Sequence, residues 1–458
     1  MAVNVLIPLS NASSFFHNNS EIQELIEEKN WRQLKDTLSV LPAPDIANLL
    51  ESLGDEWKVI IFRLLPQQLA AEVFGELDSN KQISLLQQMN DERVRDIILA
   101  LSPDDRTDLF EELPGKVTQR LLNLLPPEER SESLQLLGYP EESVGRLMTP
   151  DHVAIRPHWS IKEASEQIRR YGRDAETINM IYVVDDEWHL IGDIPLRRLI
   201  LADPEQTVES IMNYKFVSIS AFDDQEKAVR IMQRYDLIAL PVVDLQNILL
   251  GIVTVDDMLD VLEEEVTEDI QKGASVVPLT MSYTAASSWT LFHKRIVWLL
   301  SLLVAGILSG SVIAHFEKII GVVIALVFFI PLLIDTGGNT GTQSATLIIR
   351  AIATGDLTLK KWFSVMKKEL LVGILLAGTM GLLIYLLSYL WKGDPGISLV
   401  VGVSMIVITL WANLVGSLLP ILLTKIKLDP AMVSSPLITT IMDVTGLLIY
   451  FSVAVWLL

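Results

Sequence analysis

The chain has 458 residues, half of them hydrophobic, no cysteine and a formal net charge of −21. The charge is uneven: residues 1–285 hold 25 basic against 50 acidic side chains, net −25, and residues 286–458 hold 11 against 7, net +4. So acidic a first half excludes nucleic acid and anionic lipid as partners and favours cations, while the absence of cysteine excludes disulfides and thiolate metal centres.

The amino-terminal stretch MAVNVLIPLSNASSFF has a short apolar patch but no basic region ahead of it, so no secretory signal is read and the acidic half is expected in the cytosol. From about residue 21 to 140, short amphipathic runs such as LPAPDIANLLESL and LSPDDRTDLFEEL alternate with prolines and acidic turns. Proline at the first turn of a helix loses no hydrogen bond, so these runs predict an all-α superhelical stack of short helices, domain 1–145.

Residues 148–265 change character, with β-branched runs (MIYVVDD, LPVVDL) between helical ones (KEASEQIRRY, QEKAVRIMQRY). Aligning Val183-Val184-Asp185 with Val242-Val243-Asp244 sets Gly192 opposite Gly251, and Met148 and Val153 then match Met212 and Val217. Two β-α-β-β-α units follow. The pattern resembles a tandem pair of CBS domains, an α+β regulatory module assigned to 146–269. By that resemblance Thr254 and Asp257 of GIVTVDDML are ribose-contacting residues of an ATP-type nucleotide site, single because the first copy reads GDIPLRRL. Residues 270–292 are expected to form a plug-like linker helix.

The last part, 293–458, is read as an all-α transmembrane domain of five helices, with apolar segments near 296–316, 319–334 and its continuation, 370–391, 397–424 and 431–458. Lys294 and Arg295 precede the first span. Arg350, Lys360, Lys361, Lys367 and Lys368 lie between the second and third, and Lys425 and Lys427 between the fourth and fifth. The excess of positive charge on the inner side then puts the N-terminus inside and the C-terminus outside the cytoplasmic membrane. Five helices are few for enclosing a water-filled path, which points to a pathway on the axis of a homodimer.

Asp443 is the one charge in the last span; a carboxylate there costs about 2.5–3.5 kcal/mol and normally faces a polar cavity. The bland alternative is a protonated Asp443 bonded to a neighbour through Asn413 or Thr445. In the second span, PLLIDTGGNTGTQSATLIIRA, the residues Pro331, Gly337, Gly338 and Gly341 are expected to break the helix, with Asp335, Thr336, Asn339, Thr342 and Gln343 lining the path. Close helix packing by small residues is the competing explanation. Oxygen donors without Cys or His suit a hard divalent cation such as magnesium.

PLLIDTGGNTGTQSATLIIRAIATGD, LDPAMVSSPLITTIMDVTG and the order helical stack, CBS pair, five spans are together similar to the MgtE family of bacterial magnesium channels. The resemblance implies a homodimer in which Asp443 is the pore carboxylate, with Asn339 and neighbouring backbone oxygens shaping the filter. Ser435 stands where some members carry Asn. It also implies magnesium-sensing ligands at Glu226, Asp236, Asp257, Asp260, Glu265, Glu268 and Asp269, with Asp429 near the cytosolic mouth and Glu72, Asp104 and Asp108 opposing them from the stack. Residues 256–269 hold eight acidic and no basic side chains, and two carboxylates about 4 Å apart repel by about 4 kcal/mol at an effective dielectric near 20. Bound cations reverse that sign, which predicts a channel closed by high cytosolic magnesium. A solvated acidic face is the plainer reading of such a run. The rival functions are a secondary transporter coupled to sodium or protons and a nucleotide-regulated receptor or enzyme without transport. A primary pump is set aside, because no phosphate loop is present.

Overall fold

The computed structural model describes residues 22, 24–26, 28–53, 55–77, 79–279, 283, 286–357 and 362–458. The stretch read for a signal, and Lys360 and Lys361 of the topology argument, lie outside these residues. The chain divides into two compact units, one running to Glu263 and the other spanning Glu264–Leu458.

The first unit opens with α1 (Trp31–Leu38), α2 (Ala43–Ser52), α3 (Asp55–Leu64), α4 (Gln67–Gly75), α5 (Ser79–Gln88), α6 (Asp91–Ala100), α7 (Pro103–Glu112), α8 (Gly115–Leu124) and α9 (Pro127–Leu136). Their regularity comes from a repeat: Leu53, Leu65, Leu77, Met89, Leu101, Leu113 and Leu125 recur every twelve residues. At Leu53, Leu101, Leu113 and Leu125 the backbone turns extended, which ends each helix and points the side chain inward. Leu65 through Leu125 of this series are all buried in one core, each contributing about 1.5–3 kcal/mol of transfer free energy. The next helix starts on Pro66, Pro114 or Pro126, or on a side-chain cap, as where Asn90 accepts from the Arg93 N–H and Ser102 from the Asp105 N–H.

The same unit continues with α10 (Val144–Leu147), β1 (Ala154–Ile155), α11 (Ile161–Tyr171), β2 (Met180–Val184), β3 (Leu190–Pro195), α12 (Leu196–Leu201) and α13 (Val208–Ile211). A second copy follows as β4 (Ile219–Ser220), α14 (Gln225–Tyr235), β5 (Ala239–Val243), β6 (Leu249–Thr254) and α15 (Val255–Gly273). The sheets β1-β2-β3 and β4-β5-β6 have the same topology and carry the same irregularity, after Val183 and after Val242. Each copy also borrows a segment from the other. Thr149 exchanges two 2.9 Å hydrogen bonds with Ile252 of β6, and Asn213 pairs with Asp193 of β3. This explains the paired glycines of the repeat: a Cβ on Gly251 would lie 2.5 Å from the Thr149 carbonyl oxygen, and one on Gly192 3.0 Å from that of Asn213.

The second unit holds α16 (Ser288–His315), α17 (Glu317–Val322), a 3₁₀ turn (Ile324–Phe329), α18 (Ile330–Ala353), α19 (Trp362–Lys392), α20 (Pro395–Lys425), a short 3₁₀ turn (Pro430–Met432) and α21 (Ser435–Leu457). Five segments are long and apolar enough to cross a membrane: α16, residues 324–353, α19, α20 and α21.

Two expectations are corrected here. The glycine-rich stretch is not broken: α18 is helical throughout, and the irregular backbone lies upstream, at Val323 and the 3₁₀ turn. Its glycines serve packing instead, since a Cβ on Gly416 of α20 would lie 2.2 Å from the Gly341 carbonyl oxygen. Nor do the described residues show a separate linker helix. Residues 270–273 finish α15, and none of the described residues 274–279, 283 and 286–287 is helical. The helix stops because Ser275 turns left-handed (φ 59°) and Pro278 cannot continue it, with the Val276 N–H on the Gln271 carbonyl and the Ser275 N–H on that of Lys272.

The Gly341–Gly416 contact makes a stability prediction. Gly416→Ala should cost about 3 kcal/mol, because α18 and α20 cannot separate locally without losing their packing. Gly378→Ala, with open space around it, should be neutral or slightly stabilising. Thermal unfolding in detergent compares the two, and equal melting temperatures would contradict this packing.

Candidate cation sites

The helix α18 is buried on one face and carries Asp335, Asn339 and Gln343 exposed on the other, four residues apart and therefore stacked. Asn339 Nδ2 donates to Asp335 Oδ2 at 3.2 Å. On α21, Ser435 is exposed and Thr439 and Asp443 are half-buried, again four apart. The two stripes run side by side and antiparallel: Thr342 Oγ1 lies 3.4 Å from Ser435 Oγ, a Cβ on Gly338 would meet Thr439 at 3.3 Å, and one on Gly446 would meet Ile334 at 2.9 Å. That register sets Asp443 level with Asp335, Thr439 level with Gly338 and Ser435 level with Thr342.

The partners considered for a neutral Asp443 are engaged elsewhere. Asn413 accepts from Ser344 Oγ at 2.7 Å and donates to the Glu369 carbonyl at 2.8 Å. Thr445 donates to the Ile441 carbonyl and accepts from Trp411 Nε1. The carboxyl-bearing stripe is thus a polar surface on an otherwise apolar bundle. Because α18 is continuous, its side chains rather than its backbone carbonyls are the donors on offer.

A second acidic site forms where α7 meets the start of α15. Asp104 is buried, and its Oδ1 has no hydrogen-bond partner among the described residues. Burial pushes its carboxyl well above the usual range, and the facing Asp257 pushes it further. Asp257 is itself driven up to about 7, by burial first and then by Asp256 and Asp105, against the Thr254 N–H and Oγ1, which donate to its Oδ2 at 3.2 and 2.8 Å. Burial and their neighbours also raise Asp260 (Glu263, Asp256, Asp105), Glu76 (Asp260, Asp105) and Glu176 (Asp256, Asp105, Asp151). Glu76 and Glu176 were missed in sequence because neither falls in the acidic runs of α7 or α15; only the fold gathers them. Among the described residues no three acidic or histidine side chains close into a ready-made metal cage. The unpartnered Asp104 oxygen, on a carboxyl that Asp257 raises further, nonetheless suits a divalent cation, which would supply counter-charge to both carboxylates.

The remaining candidates are scattered. Glu72 on α4 and Asp108 on α7 are exposed. Glu226 and Asp236 stand at opposite ends of α14, about 15 Å apart for an eleven-residue helix, so one chain cannot offer both to one ion. Glu226 is paired with Arg230, and Asp236 caps the helix in the left-handed region (φ 52°). In the second unit, Glu265, Glu268 and Asp269 lie on the last turns of α15. Glu268 contacts Lys272 Nζ, which also donates to Asp429 Oδ2 at 2.7 Å. Thr254 and Asp257, the expected nucleotide pair, are bonded to one another on this acidic face. Between the CBS copies there is instead a cavity of about 560 Å³, lined by Asn179, Met180, Arg197, Ile200, Asp236 and Ile238 among others.

The raised carboxyls of the Asp104–Asp257 pair give a pH signature. A group whose pKa is higher in the folded state adds stability that is complete below its unfolded value, near 4, and is lost as pH rises through its folded value, about 7 for Asp257. With divalent cations chelated, unfolding of the first unit should therefore move to higher temperature as pH is lowered from 8 to 5.5, and Asp257→Asn should flatten the profile and stabilise the protein at pH 8. A wild-type profile with no slope in that window would refute this account of the pair, which titrates as one coupled unit.

Comparison with known proteins agrees with this architecture. The chain matches the divalent cation transporter family MgtE over residues 330–453, the MgtE intracellular N domain over 19–142, and CBS domains over 144–205 and 208–264. It is 44% identical over 436 residues to the magnesium transporter MgtE of Thermus thermophilus, covering 94% of this chain and 97% of that one. It is 32% identical to the Bacillus subtilis magnesium transporter MgtE, covering 94% and 95%. The crystal structure of the cytosolic domain of the Mg2+ channel MgtE in complex with ATP superposes with a TM-score of 0.52 at 40% identity, covering 53% of this chain and 99% of that one. With three family domains in the expected order and relatives matched along nearly their whole length, the chain belongs to the MgtE family of divalent cation transporters.

Proposed function

We propose that the protein is a homodimeric, magnesium-selective channel for uptake across the bacterial cytoplasmic membrane, with its N-terminus cytosolic, its C-terminus outside, and a pore closed by magnesium on its acidic cytosolic domains. The observation that carries this reading is the pair of polar stripes within apolar helices, Asp335–Asn339–Gln343 on α18, exposed, and Ser435–Thr439–Asp443 on α21, with Ser435 exposed and Thr439 and Asp443 half-buried. Exposed carboxyls are costly against lipid, and a second copy facing them across a two-fold axis gives them water and a cation instead. A hydrated magnesium ion, which sheds its waters reluctantly, fits a site with one Asp443 from each subunit.

Closure follows from the second acidic site. When magnesium is scarce, the buried Asp104 and Asp257 repel and favour separation of α7 from α15. When it is abundant, the same two side chains hold the faces together. ATP is the proposed nucleotide ligand, on the strength of the related cytosolic domain solved with it, and the cavity at Arg197 and Asp236 is its better-supported seat, because Asp257 faces carboxyl groups. A transporter coupled to sodium or protons is the second reading, favoured by the same intramembrane carboxyl.

Magnesium flux into proteoliposomes tests the proposal. Asp443→Asn should lower flux more than about tenfold, a loss of about 1.4 kcal/mol or more in ion stabilisation. Magnesium on the cytosolic face should suppress wild-type flux, and current should flow without a sodium or proton gradient. Undiminished flux in Asp443→Asn would remove that residue from the pathway, and flux that requires a counter-ion gradient would favour the coupled transporter.

A further inference from the structure

The last turns of α15 end on a joint within the second unit. Lys272 lies one turn beyond Glu268 on the same helix face and touches its carboxylate. Its Nζ also reaches Asp429 Oδ2 at 2.7 Å, across 157 residues of chain. Asp429 is prepared for this: its Oδ1 accepts from the Ala431 N–H at 2.8 Å, capping the turn before α21 and leaving Oδ2 for the ammonium. All three side chains are about two-thirds buried, with 27, 30 and 36% of Lys272, Glu268 and Asp429 exposed.

Three residues on, Ser275 Oγ lies 2.6 Å from Ser434 Oγ, both buried. Ser434 is the N-cap of α21 and accepts from the Leu437 N–H. The end of α15 is therefore tied to the first turn of the span that carries Asp443, by one ion pair and one hydroxyl pair.

We propose that Lys272 is a tethered cation that holds the Glu268–Asp429 carboxylate pair and competes there with divalent cations, so that it sets the divalent-cation concentration at which the end of α15 is clamped to the start of α21. One ammonium leaves the pair with a net charge of −1, whereas a divalent cation neutralises it. The ammonium is covalently attached and holds the joint at low ion concentration; the divalent ion binds more strongly but must first displace it. Charge at position 272 thus both supports the joint and weakens its response to the free ion. The effect on flux rests on the reading of cytosolic magnesium as the closing signal; the effect on the joint does not.

The chain has no cysteine, so Ser275→Cys with Ser434→Cys reports the joint in the full-length protein without background. Oxidative cross-linking is measured in proteoliposomes, with chelator and across a magnesium titration, in the Lys272, Lys272→Arg and Lys272→Met backgrounds. With chelator, Lys272→Met should cross-link roughly fivefold more slowly than the parent, as for loss of one partly buried ion pair, and Lys272→Arg should match the parent. Added magnesium should restore the rate in Lys272→Met. In chains with both serines intact, the same substitution should lower the half-suppressing magnesium concentration for flux by roughly fivefold. Cross-linking at the parental rate in chelator, or an unchanged or higher half-suppressing concentration, would overturn the proposal. If flux ignores cytosolic magnesium in every background, the feedback reading fails, and the chelator experiment still decides the role of Lys272.

Discussion

A carboxyl group carried into an apolar helix bundle must be given water, a counter-charge or a proton, and the arrangement of the second unit follows from Asp443 having to meet that demand. The helix that bears it contains no basic residue, and the nearby polar groups Asn413 and Thr445 have their hydrogen bonds committed elsewhere. Glycines on α18 and α20 let those two backbones close on one another, while Gly337, Gly338 and Gly341 lie against Met442, Thr439 and Ile438 of α21, which brings a second polar stripe, Asp335 to Gln343, beside the first. A surface of this kind is stable in a membrane only when something polar covers it.

The acidic face of the first unit meets the same constraint in a different solvent. Asp104 is buried, and Asp257 raises its carboxyl further, so its charged form is unfavourable unless a proton or a metal ion arrives. The cost is useful because it depends on conditions. A contact stabilised by apolar packing alone is blind to ion concentration, whereas one made of uncompensated carboxyls reports it. On the function proposed above, proton and divalent cation would act on the same pair, so acidity and magnesium would push the contact in the same direction.

Much of this was legible in the sequence because it was periodic or chemically isolated. The CBS repeat showed in its matched valines and glycines, and the sheets repeat it down to the irregularity after Val183 and Val242. Asp443 stood out as one charge in an apolar run. The helical stack was recognised from its prolines, while its twelve-residue period of leucines, with Met89 in the middle, is the stronger signal and went unread. The glycines of α18 misled, because a residue that weakens an isolated helix is also the one that allows two helices to touch, and only the neighbouring backbone distinguishes the cases. The linker helix failed for a local reason: Ser275 accepts a left-handed conformation that composition does not announce. Glu76 and Glu176 could not be found at all, since the carboxylates that act on them are distant in sequence, and the tie made by Lys272 was hidden for the same reason, Asp429 lying 157 residues on.

The helix α15 joins these two sets of charges in one element. It is nineteen residues long, about 28 Å, and like charges recur along it at i, i+4, from Asp256 to Asp260 and Glu264 to Glu268, so without counter-ions it carries internal repulsion along its length. Lys272 is its one basic residue and sits at the C-terminal end, where a cation also complements the helix dipole. Cations that bind near Asp257 relieve repulsion at one end of the rod, and Lys272 already relieves it at the other. On the proposals made above, the acidic N-terminal half would be the part whose order depends on free ions, while the C-terminal half, bonded to Asp429 and Ser434, would keep its hold on α21 when those ions are scarce.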